Sequence, residues 1–450
     1  MTKQVVLAVH FPGVNNTTVW SRPDSGSQMA FSSFAHMARK AEEGMFDFFF
    51  LAEGLRLREH RGRIHDLDVV GRPDSFMVLT ALAAVTDRIG LAGTLNSTFR
   101  EPYEVARQLA TLDHLSGGRA AWNVVTSCDA FTGANFRRGG YLDYALRYDR
   151  AREMLETARL LWDSWAAGDP LADKESGRFV GRGDAGAFTR HGELVDIAGR
   201  FNVPRCPQGH PVIIQAGDSD PGRELAAATA DVIFSQHSTY DAGRTFYADV
   251  KGRLARYARA PESLKILPAS TVVVADSDDE AREMAREIRR RQVSPPTAIN
   301  FLEQVWNRDL SAYDPDGPLP DIDPDVETSA LAQGRATRFD DRLGVAKRWR
   351  GIAEAKKLSI RELVIEVTAR GGFVGTPQHV AAEIDRHVQD DACDGFIFIP
   401  HLTPHGLDDF VDRVVPLLQE RGVLRRRYRH ETLRANLGLP DPVLPDAWLH

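Results

Sequence analysis

Short apolar runs recur along the chain, and between them lie longer stretches in which apolar residues repeat at helical spacing. The short runs are rich in aromatic and β-branched side chains, which is the pattern of buried strands. Each run is bounded by polar residues, glycine or proline. We therefore predict eight strands, at residues 5–10, 48–52, 89–95, 121–126, 212–216, 232–235, 271–275 and 395–400.

Amphipathic helices are predicted between most of these strands, for example at residues 32–43 and 103–115. In the second of these, Pro102 and Gly117 have the residue types expected at a helix start and a helix end. Strands that alternate with helices indicate parallel βαβ units. Eight such units predict an α/β fold, a (β/α)8 TIM barrel, in a single domain that covers residues 1–450.

Three segments depart from the alternation. Residues 166–211 are rich in Gly, Asp and Arg, and residues 293–341 contain the acidic, proline-rich run YDPDGPLPDIDPD. We predict both to be insertions over the strand ends, the second a lid with a disordered tip; a solvated loop without function is the alternative. Residues 423–450 are predicted to be a C-terminal extension. Residues 358–370 are predicted to be helical, because Ser359 and Glu362 have the spacing of a capping box.

Composition excludes several classes of protein. The net charge of -7 provides no basic surface for nucleic acid. Three scattered cysteines suit neither a disulfide framework nor a zinc site, and His60 and His65 have no obvious third ligand, so no metal site is expected. No signal peptide or membrane-spanning run is visible. These features predict a cytoplasmic protein that does not bind membranes.

Polar residues crowd the end of the fourth predicted strand, where Asn123 is followed by Thr126, Ser127 and Asp129. Barrels of parallel strands carry their active sites where strands end and loops begin. We therefore predict the site here. The GxGxxG run at residues 181–186 has polar loop on both sides instead of a strand and a helix, so it does not predict a dinucleotide site.

A second candidate is the segment VIIQAGDSDPGRELA at residues 212–226. A buried strand leads to Asp218 and Ser219, and a helix begins at Pro221. The free backbone N–H groups of a helix start, together with the Ser219 hydroxyl and the Arg223 charge, suit a phosphate. The structural alternative is that Ser219 simply caps the helix.

Residues 141–165 are predicted to form one long helix. Tyr144 and Tyr148 are four residues apart and would lie on the same helix face. Two phenol groups there could hydrogen-bond a phosphate or a sugar. Packing against the barrel wall is the other explanation of this pair.

Taken together, WNVVTS followed by ANF, the Tyr-bearing helix and QAGxSxxGRELA resemble the flavin-dependent monooxygenases of the nitrilotriacetate and dibenzothiophene-sulfone type. These belong to the bacterial-luciferase-like superfamily. FDFFFLAEG, FVGTPQHVAAEI and DGFIFIPHLTPHGLDDFVDRVVPLLQERG extend the resemblance over nearly the whole chain. It implies a luciferase-like barrel that binds reduced FMN at the strand C-termini, uses O2, and receives the flavin from a separate NAD(P)H:flavin reductase.

The resemblance also implies which residues hold the flavin. Glu53 stands where the family usually has Asp, Tyr144 where it usually has His, and Asp218 where Ser is common. Asn123 matches the family's WN asparagine and is the candidate catalytic residue, as a positioner of the ring. The complete predicted flavin site is Glu53, Asn96, Ser97, Asn123, Tyr144, Tyr148, Asp218, Ser219 and Arg223.

The implied reaction is that of a two-component monooxygenase, in which FMNH2 and O2 form a C4a-(hydro)peroxyflavin that oxygenates a small organic or xenobiotic molecule. Aromatic, sulfone, halogenated and aminopolycarboxylate substrates occur in the family. A homodimer or homotetramer is expected. Two alternatives stay open: an oxidoreductase that uses the deazaflavin F420, and a non-catalytic flavin-binding barrel.

Overall fold

The computed structural model describes residues 2–64, 71–127, 129–137, 142–166, 168–326, 332–333, 341–369 and 371–442. The strands are β1 Val6–Phe11, β2 Phe48–Leu51, β3 Glu59–His60, β4 Gly90–Asn96, β5 Ala120–Val125, β6 Ala187–His191, β7 Asp196–Arg200, β8 Val212–Gln215, β9 Val232–Ser235, β10 Lys265–Val274, β11 Ala332–Gln333, β12 Gly372–Gly375 and β13 Gly395–Phe398.

The helices are α1 Phe31–Glu43, α2 Ser75–Ala83, α3 Pro102–Ser116, α4 Ala130–Gly133, α5 Arg147–Asp163, α6 Asp220–Thr229, α7 Tyr240–Arg253, α8 Asp278–Gln292, α9 Pro295–Trp306, α10 Arg342–Lys356, α11 Ile360–Thr368, α12 Pro377–Gln389, α13 Asp408–Arg413, α14 Val415–Glu420 and α15 Leu433–Asn436. No helix among the described residues is long and apolar enough to cross a bilayer.

Eight parallel strands form a closed barrel in the order β1, β2, β4, β5, β8, β9, β10, β13. The sheet closes because β10 pairs with both β9 and β13, and β13 pairs with β1. The predicted (β/α)8 barrel is therefore confirmed. Since all eight strands are parallel, their C-terminal ends lie at the same end of the barrel.

Small and large side chains alternate inside the barrel. Ala8, Ala92 and Ala121 share the interior with Phe48 and Phe50, and all are buried. Small residues on some strands leave room for phenyl rings from their neighbours, so the interior is filled by side chains. The opposite faces of the same strands pack against the surrounding helices in a second, larger apolar cluster.

Three aspartates fix the strands at the N-terminal end of the barrel, and each directly precedes a strand. Asp47, Asp231 and Asp394 accept hydrogen bonds from the backbone N–H groups of Leu7, Ile213 and Ile266, respectively, each at 2.8–2.9 Å. The backbone N–H of each aspartate in turn donates to the carbonyl of the same neighbour. Each reciprocal pair satisfies backbone groups at a strand start and fixes the register of two adjacent strands.

The seventh barrel strand differs from its prediction. Residues 271–275 were predicted, whereas β10 begins at Lys265, and its first six residues make the barrel pairings with β9 and β13. Lys265 and Pro268 conceal this part, because a charge and a proline interrupt the β-branched pattern. The predicted part, Thr271 to Val274, instead pairs with β12, a strand that the sequence did not predict.

Most helix predictions are confirmed, with one correction. Pro102 begins α3, and Gly117 ends it in the left-handed conformation with φ 68°. Ser359 and Glu362 form both hydrogen bonds of the predicted capping box at α11. The single helix predicted over residues 141–165 is wrong. Within the described part, a 3-10 turn at Tyr144–Leu146 precedes α5, because the Asp143 side chain accepts from Ala145 N and caps the turn.

Both predicted insertions contain regular structure. The first carries the antiparallel hairpin of β6 and β7, and residues 181–186 lie in the turn before β6, without the strand and helix of a dinucleotide site. In the second, α9 forms an apolar cluster with α10 and α11, which follow the insertion, and Tyr313 and Leu319 pack against this cluster. The Trp306 indole N–H donates to Ile322 O at 2.8 Å. The predicted disordered tip is therefore wrong up to residue 326, since two apolar side chains and a hydrogen bond hold it to α9 and its neighbours.

The C-terminal extension closes the N-terminal end of the barrel as far as residue 442. Leu433, Leu437 and Leu439 join the interior apolar cluster. Between them, Arg434 reaches the buried carboxylate of Asp231 at 2.8 Å. Burial alone would raise the pKa of Asp231, but the adjacent Arg434 guanidinium holds this pKa below its ordinary value.

Replacing Arg434 by methionine should lower the free energy of unfolding by about 3–5 kcal/mol, because Asp231 would keep its buried charge without a partner. For a chain of this size the loss corresponds to a decrease in Tm of about 3–5 °C, measurable by differential scanning calorimetry. Arg426→Met is the matched control, since Arg426 is exposed and bonds only to Gln419 O. Equal Tm values for the two variants would contradict the anchoring role of Arg434.

Candidate active site

Asn123 lies near the end of β5, in register with Thr94 of β4. Its side chain is buried, and its Nδ2 donates to Thr94 Oγ1 at 2.9 Å. The other end of the amide is different, because Asn123 Oδ1 has no hydrogen-bond partner among the described residues. A buried acceptor without a donor is costly, so this oxygen is suited to accept a hydrogen bond from a ligand.

Glu53 follows β2, and its carboxylate is engaged within the protein. Its Oε1 forms an ion pair with Arg100 at 2.7 Å, and its Oε2 accepts from the backbone N–H of Asn96 at 3.0 Å. Burial raises the pKa of Glu53, and the Arg100 charge opposes this rise. The carboxylate therefore holds the end of β4 against β2, and its contact with a flavin stays a prediction.

Asn96 and Ser97, which end β4, also form structural hydrogen bonds. Asn96 Oδ1 accepts from the backbone of Thr98 at 2.7 Å, and Asn96 Nδ2 donates to Ser127 O at 3.1 Å. The Ser97 hydroxyl donates to Val125 O at 3.0 Å. These bonds fix the conformation of the loops after β4 and β5. The two side chains would therefore affect ligand binding indirectly, through the conformation of these loops.

The turn from β8 to α6 brings Ser219 and Tyr148 together. Gln215 Oε1 accepts from the backbone N–H groups of Ala216 and Gly217, which folds the chain back at the end of β8. Ser219 is the N-cap of α6, since its hydroxyl accepts from Gly222 N at 3.3 Å. The Tyr148 hydroxyl from α5 lies 2.8 Å from Ser219 Oγ. Two hydroxyl groups therefore meet at the positive end of a helix.

Two glycines make this turn unusually close. A Cβ atom on Gly217 would lie 3.1 Å from Gly222 Cα, and one on Gly222 would lie 2.9 Å from both the Gly217 carbonyl carbon and the Tyr148 hydroxyl oxygen. The absence of side chains therefore lets the end of β8, the start of α6 and the Tyr148 hydroxyl approach one another closely. Ser219 itself is exposed to solvent. We call Gly217, Ser219, Gly222 and Tyr148 the hydroxyl cradle.

Asp218 and Arg223 lie beside the cradle but bind each other. Arg223 donates to Asp218 at 3.0 Å and to Asp249 at 2.9 Å, and His237 Nε2 lies 3.1 Å from the Asp218 carboxylate. Two carboxylates already balance the charge that Arg223 is predicted to add, and its contact with a phosphate stays a prediction. The network supports the turn, and an effect of Asp218 or Arg223 on a ligand would be indirect.

Tyr144 is not on one helix face with Tyr148, because it belongs to the separate 3-10 turn. Its side chain is exposed, and the guanidinium of Arg147 lies between the two rings, with its Cζ 3.7 Å from the centre of Tyr144 and 4.4 Å from that of Tyr148. The argument from four-residue spacing is therefore wrong for this pair. Arg147 connects Tyr144 to the cradle.

Sequence reasoning identified Ser219 and Tyr148 but missed the two glycines and Thr94. The signal for the glycines was present in QAGxSxxG, where both glycines flank the serine. Thr94 carried no such signal, since its role depends on the register between β4 and β5.

The geometry suits a ligand with an anionic end and a hydrogen-bonding end. The hydroxyl cradle provides two hydroxyl groups and a helix N-terminus, which are groups that can bind a phosphate. A planar group with an N–H donor would satisfy Asn123 Oδ1. Both features lie at the C-terminal end of the barrel, where the active sites of such folds are found.

Comparisons with known proteins agree with this architecture. The chain is 39% identical to an N-acetyl-S-(2-succino)cysteine monooxygenase of Bacillus subtilis, over 98% of each chain. It is 39% identical to nitrilotriacetate monooxygenase component A of Aminobacter aminovorans, over 97% of this chain and 95% of the relative. It is 35% identical to a dibenzothiophene-sulfone monooxygenase of Rhodococcus erythropolis, over 98% of both.

Among solved structures, a riboflavin lyase with modified FMN and riboflavin superimposes with a TM-score of 0.78 at 27% identity, covering 99% of this chain and 98% of the other. The model of the family described as luciferase-like monooxygenase matches residues 10–395. The resemblance inferred from the motifs is thus confirmed. The alignments with these monooxygenases cover nearly the whole chain. The chain therefore belongs to the luciferase-like monooxygenase family.

Proposed function

We propose that the protein is the oxygenase of a two-component monooxygenase system that uses reduced FMN and O2. The hydroxyl cradle carries this proposal, because its turn, too close for a side chain on Gly217 or Gly222, brings two hydroxyl groups to a helix start, and Ser219 there is exposed to solvent. That combination suits the terminal phosphate of a mononucleotide. The modified FMN named for the structurally similar riboflavin lyase supports the choice of FMN.

The residues present fit FMN at two separate points. Ser219 and Tyr148 would bind the phosphate, and Asn123 Oδ1 would accept a hydrogen bond from an N–H of the ring system. The Asn123–Thr94 hydrogen bond holds the amide, so that its oxygen is oriented before the ligand arrives. Glu53, Asn96 and Ser97 would contribute indirectly, because their hydrogen bonds hold the loops that would border the flavin ring.

Bound reduced FMN would supply the activation of O2 and the transfer of one oxygen atom to the substrate. The chain would then have to grip the phosphate, orient the ring and exclude water. Glu303 from α9 hydrogen-bonds His60 in β3 and Arg61 and thereby holds the second insertion to the loop after β2. This insertion is the proposed lid, since it is attached beside the C-terminal end of a barrel strand.

A separate NAD(P)H:flavin reductase would provide the reduced flavin by diffusion. The only GxGxxG run among the described residues lies in a turn, without the strand and helix that a dinucleotide site requires. The similar nitrilotriacetate enzyme is named as a component A, which supports a system of more than one protein. The substrate would be a small organic or xenobiotic molecule, and a homodimer or homotetramer in the cytoplasm stays a prediction.

Ser219→Ala should weaken the binding of FMNH2 about 10- to 150-fold, because one hydrogen bond to a charged phosphate contributes about 1.5–3 kcal/mol. Anaerobic titration followed by protein fluorescence measures this affinity. Ser277→Ala is the matched control, since Ser277 caps α8 in the same way, accepting from Glu280 N at 3.2 Å. Both variants lose a helix cap, and only the first should lose flavin affinity.

An unchanged affinity in Ser219→Ala would remove this hydroxyl from the site and leave it with its capping role alone. Tyr148→Phe should weaken binding less, by about 2- to 10-fold, because Ser219 and the helix N-terminus remain.

Asn123→Ala should also weaken FMNH2 binding, by about 2- to 10-fold, since it removes one neutral hydrogen bond to the ring. Thr94→Val is the control, because it breaks the same Asn123–Thr94 bond but keeps the amide oxygen. We expect the alanine variant to show the larger loss in the same titration. Equal losses would mean that Asn123 only supports β4 and does not contact the ring.

The isolated protein, given NADH, FMN and O2, should consume almost no NADH, and an added flavin reductase from any source should start O2 consumption. Turnover of NADH by the chain alone at about 1–10 per second, stimulated by a substrate, would contradict the two-component proposal. Reduced F420 serves as the comparison cofactor. Activity with F420 in place of FMNH2 would identify the deazaflavin alternative, and peroxide release without any oxygenated product would identify a non-catalytic flavin barrel.

A further inference from the structure

Three potential metal ligands from distant parts of the chain meet on the surface of the barrel. His36 Nε2 lies 3.1 Å from Asp408 Oδ1, although the two residues are 372 positions apart. His405 Nδ1 lies 2.9 Å from Asp408 Oδ2. The two imidazole rings are in contact, with centroids 4.3 Å apart. All three ligand atoms lie within 4.8 Å of one another, which is the only such group among the described residues.

Without an ion, both nitrogen-to-carboxylate distances are those of hydrogen bonds. Two atoms that each lie about 2.1 Å from a tetrahedral Zn²⁺ are separated by about 3.4 Å. The side chains would therefore have to move apart by only a few tenths of an ångström to direct all three ligand atoms at one ion. We propose that His36, His405 and Asp408 bind one divalent transition-metal ion.

The donor set indicates the class of ion. Two imidazoles and one carboxylate favour Zn²⁺, Ni²⁺ or Cu²⁺ over Mg²⁺ and Ca²⁺, which prefer oxygen ligands alone. The side chains of His36 and Asp408 are about a third exposed, and that of His405 is about half exposed, at 36%, 29% and 53%, respectively. An ion can therefore enter from solvent, and water can complete its coordination.

The position of the cluster indicates what the ion does. His36 belongs to α1, which follows β1, whereas Asp408 begins α13, which follows β13. Since β1 pairs directly with β13, the ion would connect the helices on both sides of the seam between the first and last barrel strands. One helical turn further, Lys40 and Asp412 connect the same two helices at 2.5 Å. The ion would stabilise the closed barrel and take no part in the oxygenation.

Zn²⁺ alone is the probe. After removal of metal by a chelator, the full chain is titrated with Zn²⁺ in competition with a chromogenic chelator. We expect about one equivalent to bind with micromolar or tighter affinity. His36→Gln, His405→Gln and Asp408→Asn should each weaken binding at least about tenfold. His191→Gln should bind normally, because His191 and Asp196 form a similar exposed pair at 3.0 Å without a third ligand.

Thermal unfolding provides a second measurement that does not need flavin or substrate. At a Zn²⁺ concentration about 100 times its Kd, Tm should rise by about 3 °C in the unaltered protein and in His191→Gln. In His405→Gln, whose side chain is exposed enough for the variant to fold, a tenfold loss of affinity should limit the rise to about 1.5 °C or less. No saturable binding, or equal binding by His405→Gln and His191→Gln, would overturn the proposal. Failure of the flavin experiments would leave it unaffected.

Discussion

Reciprocal hydrogen bonds between strand starts and the aspartates of neighbouring strands set the register of three strand pairs around the barrel, β1–β2, β8–β9 and β10–β13. Asp47, Asp231 and Asp394 each bind both backbone groups of one residue on the adjacent strand. A shift of one residue between two strands would break such a pair and turn each interior side chain outward. Asn123 and Thr94 likewise meet only in one register of β4 and β5, so the geometry at the C-terminal end of the barrel depends on strand register.

The two ends of the barrel are electrostatically different. At the N-terminal end the buried aspartates have cationic partners: Asp47 pairs with Arg425 at 2.8 Å, Asp231 with Arg434 at 2.8 Å, and Asp394 with Lys251 at 3.1 Å. At the C-terminal end, Asn123 Oδ1 and Ser235 Oγ are buried without a hydrogen-bond partner among the described residues. The paired charges stabilise the N-terminal end of the fold, whereas the two unpaired polar atoms at the C-terminal end would be available to the proposed ligand.

How much could be predicted from the sequence depended on how local the signal was. The eight strands and the helices between them follow from local apolar patterns, and Pro102, Gly117 and Ser359 mark helix ends by their own conformational preferences. Pro268 conceals the start of β10, because a residue without a backbone N–H is rarely found in a central strand. The packing of residues 313–322 on α9 could not be predicted either, since it depends on contacts with an indole that is distant in sequence.

The same contrast applies to the residues of the candidate site. The closeness of Ser219 and Tyr148 agrees with the motifs, whereas the partners of Arg223 and Tyr144, Asp249 and Arg147, could not be predicted from local patterns. The flavin contacts of all four residues stay predictions. The Ser219 hydroxyl caps α6 and lies beside the Tyr148 hydroxyl. A hydroxyl that accepts from Gly222 N can still donate to a phosphate oxygen. Helix capping and ligand binding are therefore compatible at this residue, and the fold orients the Ser219 hydroxyl before any ligand arrives.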